Sequence, residues 1–249
     1  MKKIQNVVYG DDPENHLLDI YVPDTPSFST FIYFHGGGLE NGDKSCGEAF
    51  AGYLADREIA LVSVNYRMYP NAHYPDFIED ASRAVAWVFK NIENYGDCKK
   101  IYVGGSSAGA YLSMMLCFDN KYLGAYGINP LSISGWLHAA GQPTAHFNVL
   151  RERNIDSRRI IVDDSAPIYH VEIQKSYSPM TFIVSDNDII GRYEQTMLML
   201  ATLKHFGCNE DKTKLITMNG THCAYVQAFD CEGHSVFGNI IYNLINENF

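Results

Sequence analysis

Two spacings of apolar residues alternate along the chain. Short runs rich in β-branched and aromatic residues occupy 17–22, 30–35, 59–64, 101–103, 180–185 and 213–218, and each predicts a strand. Segments with helical spacing lie between and after them, at 47–58, 77–94, 110–117, 192–206 and 235–246. In 77–94 the residues Ile78, Ala81, Val85 and Val88 share one face, with Pro75 just ahead and Asp76 read as the cap. In 192–206 the apolar positions are Met197, Leu200, Ala201 and Leu203, and Gly207 closes the helix. A run such as 59–64, with almost no polar position, suits a strand covered on both faces. Strand and helix alternating at these lengths predict an α/β protein with a mostly parallel, doubly wound sheet, whose ligands sit beyond the carboxyl ends of the strands.

The pattern loses its regularity over 118–179. Apolar patches at 127–137 and 144–153 are short, and 158–170 reads as a turn and a short helix. Trp136, His138, His146, Phe147 and Tyr169 fall here; each lines a pocket or packs a local core, and sequence leaves both readings open.

Composition narrows the picture. At 249 residues and 46% hydrophobic content the chain can bury a core as a single domain. It shows no linker-like tract, and no apolar run is long enough to cross a membrane. Residues 1–6 start basic but continue polar, unlike a signal peptide, so a cytoplasmic protein is expected. The six cysteines form no C-x-x-C pair, which predicts thiols rather than disulfides or a metal site. A net charge of −10 disfavours nucleic acid and anionic membrane as partners. A small neutral or weakly polar molecule fits better, and self-association as a homodimer is left open.

The chemistry concentrates at Gly105-Ser106-Ser107-Ala108-Gly109, a G-x-S-x-G between a predicted strand and a predicted helix. A nucleophile on such a strained turn needs small residues two before and two after it, because neighbouring backbone passes close. The following helix N-terminus favours negative charge developing on an attacked carbonyl oxygen. A serine also needs a base, an orienting acid and oxyanion donors. His35-Gly36-Gly37-Gly38, after the predicted strand 30–35, offers unshielded backbone N–H groups for the last of these.

These motifs, with Asn65-Tyr66-Arg67-Met68-Tyr69-Pro70, Tyr74-Pro75-Asp76, Glu79-Asp80 and Trp87-Val88, resemble the α/β-hydrolase superfamily, in its esterase and lipase branch with an HGGG motif. The resemblance implies the α/β-hydrolase fold, with a small cap inserted within 118–179. It implies a triad in the chain order Ser107, Asp188, His222, Asp188 being chosen over Asp186 by its offset from the helix near Arg192. It implies oxyanion donors from Gly37, Gly38 and Ala108 and no metal or organic cofactor. Tyr66, Arg67 and Asp80 would tie the glycine loop. Ser106 replaces the acidic residue usual before the nucleophile in the hormone-sensitive-lipase group, which turns the expectation from lipids toward carbohydrate-esterase-like and formamidase-like hydrolases. The implied activity is a serine carboxylesterase for short acyl groups, acetyl or hydroxycinnamoyl. An arylformamidase with the same triad is the alternative, and an inactive hydrolase-fold binding protein the least favoured reading.

Overall fold

A computed structural model describes residues 1–172 and 176–246. Eight strands form one sheet in the order β1-β2-β4-β3-β5-β6-β7-β8, where β1 is Lys2–Val8, β2 Leu17–Val22, β3 Ser27–Phe34, β4 Ile59–Val64, β5 Asp97–Ser106, β6 Gly135–Ala139, β7 Met180–Asn187 and β8 Thr213–Thr221. β1 and β2 run antiparallel to their neighbours, and from β4 to β8 every pairing is parallel. Helices cover both faces. On one side α1 (Glu48–Ala55) and α7 (Val236–Asn246) pack Phe50, Leu54, Phe237 and Ile241 against Phe31, Tyr33 and Leu61. On the other, α2 (Asp76–Asn91), α3 (Ala108–Phe118) and α6 (Arg192–His205) bury Ile78, Val85, Leu112 and Met199 with Ile32, Val62 and Val103. The interior strands are the apolar ones: all six residues of β4 are buried, as are all five of β6.

Two strands lie outside the sequence expectation. β1 is an exposed edge whose pairing with β2 slips between Ile4 and Val7, so its residues carry little hydrophobic signal. β6 is five residues, Gly-Trp-Leu-His-Ala, too short for a period yet seated between β5 and β7. It takes Trp136 and His138 into the core, at 0% and 1% exposure, and His138 meets Ser113 Oγ at 2.9 Å. Trp136 also borders a cavity with Cys117, Asn129 and Tyr177, and Tyr169 is exposed.

Two local readings change as well. Asp76 does not cap α2; Pro75 holds that position, and the Asp76 carboxylate accepts from the His73 N–H at 3.0 Å. The face of α6 turned inward is Arg192, Thr196, Met199 and Leu203, whereas Met197 is exposed. The i, i+4, i+7 spacing there is carried by two polar side chains, which a search for apolar residues passes over.

Beyond β6 the chain rises over the sheet's carboxyl edge as residues 140–172, with α4 (Asn120–Gly124) before it and α5 (Phe147–Glu152) within it. Residues 173–175 of the expected cap region lie outside the described residues. Among the described residues no helix is long and apolar enough to cross a membrane, and none of the six cysteines forms a disulfide.

Candidate active site

β3 and β5 are paired in register, Phe34 opposite Gly105, so the segments that follow them, His35-Gly36-Gly37-Gly38 and Ser106-Ser107, leave the sheet side by side. The turn at Ser107 is strained, with φ 54° and ψ −114°, a conformation that costs of order 1–3 kcal/mol and is kept only where the surroundings enforce it. Those surroundings are backbone. A Cβ on Gly109 would collide with the Phe34 carbonyl, and one on Gly105 with the carbonyl of Gly109. Ser107 N–H donates to Ala139 O at 2.7 Å, and α3 begins at the next residue.

The glycine loop is held from beneath. His35 is fully buried, stacked on Tyr66 at 4.6 Å, and Tyr66 Oη donates to His35 O at 2.8 Å. Burial holds the His35 imidazole below its ordinary range. Arg67 donates to both Asp80 oxygens at 2.8 and 2.7 Å, and His16 Nε2 lies 2.9 Å from the same carboxylate. Tyr66 thus braces the loop directly, and the Arg67–Asp80 pair fixes the residue next to it. Gly37 has φ 119°, in the region that favours glycine. Among the described residues no protein acceptor takes the N–H of Gly37, Gly38 or Ala108, and Ala108 opens α3, where the first N–H groups have no partner within the helix. Ser106, in place of an acid, hydrogen-bonds Tyr33 Oη at 2.7 Å in the core.

The other components come from β7 and β8. Asp188 follows β7, its side chain 2% exposed, and accepts the N–H groups of Ser185 at 3.1 Å and Ile189 at 2.8 Å. His222 follows β8, with Nδ1 2.5 Å from Asp188 Oδ1 and Nε2 2.8 Å from Ser107 Oγ. Burial disfavours charge on both groups. Their mutual hydrogen bond outweighs it, keeping Asp188 below the usual carboxylate range and, with the Cys223 thiol 3.8 Å from Nε2, bringing His222 up to about 9. Asp186 points elsewhere, accepting Gly220 N–H at 2.8 Å and so joining the two loops.

The segment carrying α5 also reaches the glycine loop: sequence left Phe147 and His146 open between a pocket wall and a local core and gave no signal for Asn148. Phe147 packs its ring against Gly38, Cζ lying 2.9 Å from where a Cβ there would stand. Asn148, buried, donates from Nδ2 to Gly38 O at 2.9 Å. Its own N–H donates to His146 Nδ1 at 3.2 Å, and burial holds that imidazole well below its ordinary range, hence neutral. An asparagine in a short helix announces none of this; only the approach of α5 to the glycine loop does.

A mostly parallel sheet with antiparallel strands at one edge, a serine on a sharp strand-to-helix turn, and an acid and histidine after the last two strands define the α/β-hydrolase fold. Solved structures of that fold superpose closely: a truncated carbohydrate esterase from gut microbiota, TM-score 0.77 at 20% identity over 99% of this chain and 97% of that one, and esterase B from Lactobacillus Rhamnosis, TM-score 0.76 at 18% identity over 96% and 83%. Residues 18–126 match the BD-FAE family model. A probable isoprenylcysteine alpha-carbonyl methylesterase of Oryza sativa subsp. japonica is 38% identical over 112 residues, 44% of this chain and 26% of the rice protein. Esterase LipC of Mycobacterium tuberculosis is 27% identical over 80% of this chain and 55% of its own length. These likenesses give the chain the fold of the α/β-hydrolases and partial similarity to esterases, and it spans about a quarter of the plant relative and about half of the mycobacterial one.

Proposed function

We propose that this chain is a serine carboxylesterase that cleaves short-acyl esters through an acyl-enzyme. The observation that carries the reading is the continuous hydrogen-bonded line from Ser107 Oγ through His222 to Asp188, joining residues 115 and 34 positions apart. In the reaction Ser107 Oγ attacks the ester carbonyl while His222 Nε2 takes its proton. Asp188 fixes the imidazole tautomer and stabilises the imidazolium. The N–H groups of Gly37, Gly38 and Ala108 receive the oxyanion, each donor worth roughly 100- to 1,000-fold in rate. His222 then protonates the leaving alcohol, and water, activated by the same imidazole, releases the acid.

Phe147 against Gly38 narrows the space beside the oxyanion donors, which favours short acyl groups. An acetyl or hydroxycinnamoyl group carried on a carbohydrate accords with the carbohydrate esterase among the structural neighbours. Initial rates on 4-nitrophenyl acetate, butyrate and octanoate and on a feruloyl ester, with Ser107→Ala as control, test the reading. Rates that fall with chain length and vanish in the variant support it. Equal inertness of both proteins on all four esters removes it and brings N-formyl amides forward.

A further inference from the structure

Arg192 opens α6 four residues after Asp188 and is 4% exposed. A guanidinium so placed normally faces a carboxylate, because an unpaired buried charge costs several kcal/mol. Here no carboxylate among the described residues pairs with it. Nε and Nη1 have no hydrogen-bond partner, and Nη2 has one contact, to Gln142 Oε1 at 3.5 Å, the outer limit of a hydrogen bond. Burial pulls the group down to about 10 against the attraction of Asp188 and Cys223, which puts the guanidinium within electrostatic reach of the acid and of the residue next to His222. Gln142 is itself fixed, donating to Ala145 O at 2.8 Å and Thr144 Oγ1 at 3.2 Å, and its Oε1 also accepts Phe147 N–H at 3.4 Å. Arg192 therefore stands between the acid side of the site and the cap segment that reaches Gly38.

We infer that Arg192 is a specificity residue that binds a carboxylate on the substrate, so that the preferred ester is an anion. The inference rests on the esterase reading and adds the substrate class to it. An incoming carboxylate displaces the long Gln142 contact at Nη2 and supplies the acceptors that the guanidinium lacks. The protein's overall charge of −10 repels anions only at a distance, where salt screens it. Within the site, charge-assisted hydrogen bonds in a dry setting decide.

The test compares two pairs of esters: 4-nitrophenyl butyrate with mono-4-nitrophenyl glutarate, where the carboxylate is on the acyl side, and phenyl acetate with 4-acetoxybenzoate, where it is on the alcohol side. In the wild type kcat/KM of the anionic member exceeds that of its neutral counterpart in one pair, and which pair locates the carboxylate. Arg192→Met lowers that ratio roughly ten- to a hundredfold, the worth of a hydrogen bond to a charged group, mostly through KM. A wild-type preference for the neutral ester in both pairs, or a variant that slows both members by one factor, overturns the inference, the second outcome marking Arg192 as a support for Asp188. Should Arg192→Met not fold, Ser107→Ala, which keeps Arg192, is titrated with glutarate: a rise in Tm supports the site and its absence refutes it. Wild type as inert as Ser107→Ala on all four esters is instead the failure of the esterase reading, and the glutarate titration still decides the anion site.

Discussion

Residues 34–38 and 104–109, the side of the proposed nucleophile, are packed backbone against backbone, whereas residues 185–192 and 218–223, the side of the proposed acid and base, are joined by single hydrogen bonds where the sheet meets solvent. β5 ends in five consecutive buried residues; β8 has no buried residue. The first side leaves no room for a side chain at Gly105 or Gly109. The second gets its geometry from Asp188 accepting two backbone N–H groups and from Asp186 holding Gly220. Steric exclusion fixes the position of Ser107, while hydrogen-bond partners fix the orientation of His222.

Substitutions on the two sides should separate these modes of construction. Ser107→Ala removes the attacking oxygen, and kcat on a short 4-nitrophenyl ester should fall on the order of 10⁵- to 10⁶-fold with no change in Tm beyond a degree or two. Asp188→Asn should cost roughly 10⁴-fold by favouring the wrong imidazole tautomer, whereas Asp186→Asn should stay within about tenfold, since it weakens a loop contact worth roughly 1 kcal/mol; comparable losses in the two variants would reverse the assignment of the acid. Gly109→Ala should destabilise by about 3 kcal/mol or more, because the obstacle is the Phe34 backbone and cannot rotate away. Denaturant midpoints check this, and a Gly109→Ala protein as stable as the wild type would dissolve the contrast between the sides.

The smallest effect concerns pH. In the proposed reaction His222 works as a base only when neutral, and its raised proton affinity, up to about 9, should make kcat/KM climb with pH until the imidazole has lost its proton. The Cys223 thiol is among the groups that raise it, so Cys223→Ala should move that limb to lower pH, seen in kcat/KM profiles of the two proteins. A limb that stays in place would show that Asp188 alone sets the basicity.

The same contrast explains what could be read from the chain. Glycines at 105 and 109 flank the serine because backbone approaches there, and a fixed steric demand writes itself into adjacent letters. Strand 59–64 was legible to the residue because burial on both faces leaves little room for polar side chains. Asp188 and His222 have no such local mark; their offsets became meaningful only through a resemblance that supplied the order of strands. β6 escaped because five residues show no period, and the inner face of α6 because Arg192 and Thr196 stand where apolar residues were sought. Asn148 and Gln142 act by reaching segments distant in sequence, which no spacing among their neighbours reveals.

The exposed character of β8 also bears on how the protein fails. A terminal strand paired on one side opens by local fluctuation at lower free energy than the interior strands, and His222 hangs from its end. The cooperative unit that carries the base is thus separable from the one that carries the nucleophile. On warming, amide protons of β8 should exchange before those of β5, and hydrolysis should cease while most of the sheet is still protected.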